Sequence, residues 1–409
     1  MSAATAVAQI QAVLVCDPAG GNPLRAVGGI TLLERLLRQL SEAESVGSLL
    51  VLKPGELSLP PPSSRVGKHV AYLSASGSGA WGMLRDARAH LHARFIAVAA
   101  DLLIDQRLFA WLAAQETDVM LSSGAGIPAE FVAHLHSGSL DAASPQAAGI
   151  RVVTVSSLPA YWETMHGEVP LHLHRVASAA DAERAWQILL DHVQRRTLDL
   201  PARYFDPVFE NMLVRRLAPT AITANQVSAV TTVLGFVVCA LYTVGWLRVG
   251  VVLAIFVEVL DGVDGKLARV TRTTSRMGEY EHVFDFFYEN SWYLGLGSFL
   301  SRRGLPFAWT AALLMVAFDL TDNIVYAVMN KKTGRSLDNA SPFLARFRLV
   351  AGRRNIYTWL FLLGFFLGEP AYAFYFAIAW AGITAAVHAT WGIWQALRSM
   401  RMQIARSRA

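Results

Sequence analysis

The sequence predicts two parts of different class: an α/β domain over residues 1–200 and an all-α membrane domain of six transmembrane helices over residues 223–409. Three observations predict this. Before about residue 200, short apolar runs alternate with helix-like segments at ordinary polar content. From Ala224 onward the chain carries long apolar blocks. Basic residues gather beside those blocks, so the formal net charge of +5 suits anionic headgroups and topology better than nucleic acid.

The first elements follow in order. "IQAVLVCDPAGGNPLRAVGGITLLERLLRQL" (10–40) reads as a strand, a glycine-rich loop and a helix. "RFIAVAADLLIDQRLFAWLAA" gives a second strand ending in Asp101, then a helix, and "AGIRVVTVSSLPAYW" another strand. Such alternation predicts a mainly parallel sheet. Gly20 and Gly21 stand where a phosphate-cradling loop would, although a lone Gly-Gly pair is a weak signal. The "HLH" runs at 134–136 and 172–174 alternate as strand residues do, which favours strand positions over metal ligands. Cys16 and Cys239 have no CxxC or Cys/His neighbour, so neither a disulfide nor a structural zinc site is expected.

Residues 201–222 form a linker. Within it "DPVFENMLVRRLAP" (206–219) places Val208, Phe209, Met212, Leu213 and Leu217 near helical spacing, with Arg215 and Arg216 flanking. This is either an interfacial amphipathic helix or a plain linker helix.

Six candidate spans follow, at roughly 226–246, 249–270, 283–300, 306–329, 355–368 and 371–396. The fifth is short. Loops assigned to the cytoplasm hold Lys266, Arg269, Arg272, Arg276, Lys331, Lys332, Arg335, Arg346, Arg348, Arg353 and Arg354, and the tail adds Arg398, Arg401, Arg406 and Arg408. The opposite side has Arg248, Arg302 and Arg303. With no basic and apolar leader visible, the first domain and the C-terminus are expected on the cytoplasmic side of an inner or cytoplasmic-type membrane.

The second span ends in "EVLDGVDGKLARV" (258–270), where Asp261 and Asp264 share a helix face. Gly265 allows close approach to the backbone, and Arg269 supplies a fixed charge suited to phosphate. On the next span Glu281, Asp285 and Glu289 recur on one face. Carboxylates on two neighbouring helices make an oxygen-rich site suited to Mg²⁺ or Mn²⁺ and to phosphoryl chemistry. Ionisable residues within a membrane are functional candidates by default. Asp319 and Asp322 lie inside the fourth span, where either pairing with another helix or contact with a substrate hydroxyl is open.

"DGVDGKLARVTRTTSRMG" resembles the signature of the CDP-alcohol phosphotransferases, with Asp261, Asp264, Gly265, Ala268, Arg269 and Gly278 at matching positions. At the third and fourth aspartate positions stand His282 and Phe286, so "EHVFD" aligns only with one residue missing after Gly278. The resemblance then carries the metal-ligand roles to Asp261, Asp264, Glu281 and Asp285, and the catalytic base to Asp285. A second registration pairs Asp285 with Glu289. The resemblance assigns the CDP pyrophosphate to Gly265, Ala268, Arg269, Gly278 and Asn225, the last resembling the family's "PN" and also placed as a helix N-cap. Arg353 and Arg354 either hold an acceptor phosphate or anchor topology.

The first domain resembles the sugar-phosphate nucleotidyltransferases, including cytidylyltransferases, which implies a Rossmann-like fold. Its loop is shortened, has no basic residue before Arg25, and places Asp101 at the family's metal-binding aspartate. This implies a degenerate domain kept for docking or regulation, with a working domain in a bifunctional enzyme as the alternative. The fused order resembles enzymes that make and use CDP-inositol phosphate. The implied activity is an EC 2.7.8-type transfer of a phospho-alcohol from a CDP-linked donor to a lipid or polyol hydroxyl, with CMP released at a two-metal Mg²⁺ or Mn²⁺ site. Alternatives are phosphatidyl transfer from CDP-diacylglycerol to a soluble, phosphorylated alcohol, and a non-catalytic nucleotide-binding membrane scaffold. A homodimer is the family's tendency, and no nucleic-acid partner is expected.

Overall fold

The computed structural model describes residues 9–124, 130–162, 165, 167–196, 198–273, 277–333 and 336–407; side chains at 277–282, 333, 396 and 399–407 lie outside that description. The chain divides into two compact units. One comprises Met1–Tyr161, Val169–Val193 and Val270–Arg272, the other Trp162–Glu168, Gln194–Arg269 and Thr273–Ala409.

In the first unit β1 (Ile10–Val15) leads through a small hairpin, β2 (Ala26–Val27) and β3 (Ile30–Thr31), into α1 (Leu32–Glu42). Next come β4 (Val46–Lys53), β5 (Val70–Ser74), α2 (Gly79–Asp86), β6 (Arg94–Ala99), β7 (Leu102–Ile104) and α3 (Arg107–Ala113). Strands β8 (Val119–Ser122), β9 (Val132–His136), β10 (Arg151–Thr154) and β13 (Leu173–Arg175) precede α4 (Ala179–His192), whereas β11 (Tyr161–Trp162) starts at the last residue of this unit's first segment and β12 (Gly167–Glu168) belongs to the second unit. Seven strands form one sheet in the order β10-β8-β9-β6-β1-β4-β5. β1 is parallel to β4 and β6, and β9 alone runs antiparallel, to both β6 and β8. The α/β expectation therefore holds.

All six residues of β1 are buried, as a strand covered on both faces requires. Leu14 packs with Leu33, Leu36 and Leu40 of α1 on one side, and Val13 packs with Trp81, Met83 and Leu84 of α2 on the other. Cys16 and Cys239 are free thiols, and burial pushes Cys16 up to about 12, so it stays protonated.

The second unit is helical: α5 (Leu200–Tyr204), α6 (Asp206–Leu217), α7 (Ala224–Val244), α8 (Leu247–Thr271), α9 (Met277–Arg302), α10 (Ala308–Thr333), α11 (Pro342–Phe347), α12 (Arg354–Leu367) and α13 (Pro370–Ser407). Six long helices occupy the six expected segments. Three stretches among the described residues, Ala224–Val244, Ala308–Lys332 and Pro370–Gln395, are long and apolar enough to cross a membrane. At 14 residues, α12 rises about 21 Å, short of a bilayer core.

Local chemistry sets the helix ends. Thr223, not Asn225, is the N-cap of α7: its side chain accepts from Gln226 N, and the Gln226 side chain accepts from Thr223 N, closing a capping box. Asn225 lies inside the first turn. Gly245 (φ +88°) terminates α7 in the left-handed region that glycine enters without penalty. Aromatic residues Tyr242, Tyr288, Trp292, Phe361 and Phe374 fill the core. Glycine permits close helix approach: a Cβ at Gly235 would lie 2.6 Å from the Tyr288 ring.

Candidate active site

Asp261 and Asp264 stand one turn apart on α8. Asp264 is buried, accepting from Ser228 Oγ of α7 at 2.8 Å and from Gly265 N at 2.5 Å. Asp261 accepts from Arg354 Nη2, at the start of α12, at 2.5 Å. Nη1 of that guanidinium donates to Glu289 of α9 at 2.5 Å and to the Tyr288 hydroxyl at 2.6 Å. One arginine thus ties carboxylates of α8 and α9 together, using the planar fork that suits such pairs. The Arg269 guanidinium lies over the bare backbone of Gly265, where a Cβ would sit 3.2 Å from Nη1.

A second charged layer backs the first. Lys266 is buried, forms an ion pair with Glu210 Oε2 at 2.7 Å and donates to Asn211 Oδ1 at 2.8 Å, both on α6. A Cβ on Gly262 would run into the Glu210 carboxylate, so this glycine lets α6 dock on α8. Buried Asp206 and Glu210 face inward from α6, while Val208, Phe209 and Met212 are exposed. Burial, with Glu210 and Asp199 nearby, pushes Asp206 up to about 7. Asp199 accepts from Arg348 at 3.3 Å and from Asn355 at 3.3 Å.

Of the other expected residues, Asp285 is half-buried on α9, one turn before Glu289; Ala268 is half-buried, and Asn225 is exposed. Gly278 lies in α9, but the side chain of Glu281 is outside the described residues. Arg353 sits 4.5 Å from the Tyr326 ring centroid, and Tyr326 donates to Asp338. Asp319 accepts from Asn290 of α9 at 3.0 Å, and Asp322 pairs with His388 of α13 at 2.5 Å, so both buried-span acids are paired with another helix. Ser228 and Glu210 were not singled out by sequence, and Lys266, expected in a cytoplasmic loop, is instead buried within α8. The only signal for the first two is a polar side chain bordering an apolar run.

In the first unit Asp101 is buried, and its Oδ2 accepts from Gly21 N at 2.7 Å and Arg175 Nε at 2.8 Å. Arg175 thereby supplies a basic group beside the glycine loop. His134 and His136 lie on β9, but His172 precedes β13 and stands beside Asp105 and His192.

The family model for CDP-alcohol phosphatidyltransferase matches residues 217–392. Residues 217–392 are a CDP-alcohol phosphatidyltransferase domain. The family consists of membrane transferases that use a CDP-linked donor and an alcohol acceptor, in general with a divalent metal. No curated protein matches the chain. The N-terminal region resembles nucleotidyltransferase folds among solved structures. HddC from Yersinia pseudotuberculosis is 11% identical, with 44% of this chain and 99% of that chain covered and a TM-score of 0.33. A 4-diphosphocytidyl-2C-methyl-D-erythritol synthase from Anaerococcus prevotii is 10% identical, covering 44% and 98%, with a TM-score of 0.32. Another 4-diphosphocytidyl-2C-methyl-D-erythritol synthase is 15% identical over 44% and 98%, with a TM-score of 0.32.

The donor set in the transferase domain fits a hard divalent cation, because Asp261, Asp264 and Asp285 offer oxygen alone. Arg354 already engages Asp261, so a cation there would share that carboxylate with the guanidinium. Among the described residues, the one grouping of three ligand atoms within 4.8 Å of one another is Asp105, His172 and His192, in the first unit.

Proposed function

We propose that the chain is an integral-membrane phosphotransferase that moves a phospho-alcohol from a CDP-linked donor, of the CDP-inositol phosphate type, to a lipid or polyol hydroxyl and releases CMP. The observation that carries this reading is Arg354 joining Asp261 to Glu289 within the matched domain, so that both acid-bearing helices face one polar patch. The chain divides at 1–200, 201–222 and 223–409, with six helices spanning and the first domain on the cytoplasmic side. α6 lies at the interface, its exposed Val208, Phe209 and Met212 toward lipid.

Asp261, Asp264, Glu281 and Asp285 hold Mg²⁺ or Mn²⁺, and Gly265, Ala268, Arg269, Gly278 and Asn225 receive the pyrophosphate. A second registration pairs Asp285 with Glu289, which Arg354 holds at 2.5 Å just as it holds Asp261. The cation supplies charge neutralisation at the pyrophosphate when bound. Asp285 takes the acceptor hydroxyl proton; the oxygen forms a bond to the phosphorus carrying the alcohol. The bond from that phosphorus to the bridging oxygen breaks, and its electron pair leaves with CMP. Arg353 contributes to the acceptor side, and Arg354 fixes Asp261. The first domain serves docking or regulation.

Purified protein in lipid nanodiscs, supplied with CDP-alcohols and acceptors, tests this through CMP release. Turnover that needs a divalent cation and disappears in Asp264→Asn supports the reading; full turnover in that variant overturns it. CDP-diacylglycerol with soluble alcohols, in the same assay, tests the reverse assignment of lipid and soluble partners.

A further inference from the structure

β7 ends at Ile104 and β13 begins at Leu173, and the two pair antiparallel. That register sets Asp105 beside His172, with Asp105 N donating to the His172 carbonyl at 3.0 Å. α4 ends at His192, which brings a second imidazole to the same point. Asp105 Oδ2 lies 3.8 Å from His172 Nδ1 and 3.7 Å from His192 Nδ1. The two rings meet edge to face, with centroids 4.5 Å apart. His172 Nδ1 is buried and has no hydrogen-bond partner among the described residues.

We propose that Asp105, His172 and His192 form a binding site for a first-row transition-metal ion, Zn²⁺ or a close relative, in the N-terminal unit. Two imidazoles and one carboxylate are borderline donors suited to Zn²⁺ rather than to Mg²⁺. Ligand atoms in a tetrahedral site with bonds of about 2.0–2.1 Å stand about 3.3–3.4 Å apart, so the two Asp105–imidazole separations of 3.8 and 3.7 Å close by a few tenths of an ångström, and all three ligand atoms already lie within 4.8 Å of one another. Arg107 orients the carboxylate, donating to Oδ1 through Nε at 3.0 Å and through its backbone N–H at 2.9 Å. Its Nη2 also donates to Oδ2 at 2.6 Å, and this bond yields when the ion binds. Arg107 remains held by the carbonyls of Ala160 and Val169.

A pocket of about 330 Å³ lies against both imidazoles, between Pro170–Leu171 and the Gln187 and Asp191 side of α4. It provides an entry path and room for a non-protein fourth ligand, the feature that separates an open three-ligand site from a closed structural one. The ion would pin the end of α4 to the β7–β13 pair. This site shares no residue with the transferase carboxylates.

The full chain, stripped with chelator and titrated with Co²⁺ alone, tests the proposal. Wild type should take up one equivalent with the visible absorption of a four-coordinate nitrogen- and oxygen-ligated ion, displaced by Zn²⁺. That band should persist in Asp264→Asn and be lost in His172→Gln and in His192→Gln. Wild type with no such band overturns the proposal however the histidine variants fold. So does a band retained at full strength in both histidine variants.

Discussion

Arg354 and Asp261, 93 residues apart in sequence, meet at 2.5 Å where α12 faces α8, and the guanidinium goes on to Glu289. One cation therefore balances a proposed metal-ligand carboxylate, Asp261, and the neighbouring Glu289. Arg354→Ala would leave both without a partner. Removing one member of a buried pair costs about 3–5 kcal/mol, and the lower end applies because Asp261 and Glu289 side chains are 27% and 20% exposed. CMP release should fall at least ~100-fold, the loss expected from about 2.7 kcal/mol at the barrier, and the midpoint of thermal unfolding should drop. Arg354→Lys keeps the charge but not the fork, so it should recover stability more than turnover. Wild-type kinetics in Arg354→Ala would show that the pair is peripheral.

Asp264 and Ser228 separate ligand from support. Asp264→Asn keeps shape and the Ser228 contact but removes the negative charge, so turnover should be lost with unfolding nearly unchanged. Ser228→Ala removes one charge-assisted hydrogen bond at 2.8 Å, worth about 1.5–3 kcal/mol. It should raise the Mg²⁺ concentration needed for half-maximal activity more than it lowers the saturated rate. Metal titrations of the rate on both variants check this.

Much of the scaffold was legible because apolar length and turn chemistry are local. The strand at Ile10–Val15, the helix from Leu32 and all six long helices follow from runs of side chains within one element. Asp261, Asp264 and Gly265 were legible because they lie within five residues on one helix. The partners were not. Arg354 reads equally well as a topology anchor, and only the packing of α12 on α8 and α9 turns it into a bridge. Glu210 reads as one charge on an interfacial or linker helix, with nothing local to show what it pairs with. In the structure the acids turn inward, because Lys266 and Gly262 on α8 offer them a partner and a gap. The 172–174 "HLH" run misled for a similar reason: His172 lies outside its strand and faces residues 67 and 20 positions away.

The α6–α8 contact gives a stability test independent of catalysis. Lys266→Met leaves Glu210 buried without its ion pair and should cost about 3–5 kcal/mol. Lys266→Met with Glu210→Gln removes both charges and should recover most of that loss. Gly262→Ala forces a methyl against the Glu210 carboxylate, an overpacking typically worth about 1–3 kcal/mol. Denaturant or thermal unfolding of wild type, Lys266→Met, Glu210→Gln and the double variant in one detergent provides the cycle, with Gly262→Ala measured beside them. Additive losses in the double variant would show that the two side chains do not depend on each other.

Asp206 makes the same region sensitive to pH. Burial and the neighbouring Glu210 and Asp199 carboxylates raise its folded-state value to about 7, against about 3.9 in an unfolded chain. Between those values the folded protein holds a proton that the unfolded chain has released. This group's contribution to stability is therefore unchanged below about pH 4, declines as pH rises through the window, and stays reduced above 7. A shift of three units corresponds to about 4 kcal/mol at most, shared here with the two neighbouring acids. Asp206→Asn removes the titration while keeping the shape, so the variant should gain on wild type from pH 5 to about pH 7 and hold that gain at pH 8. Unfolding midpoints at several pH values in that range decide it: parallel curves for the two proteins would place the Asp206 proton elsewhere.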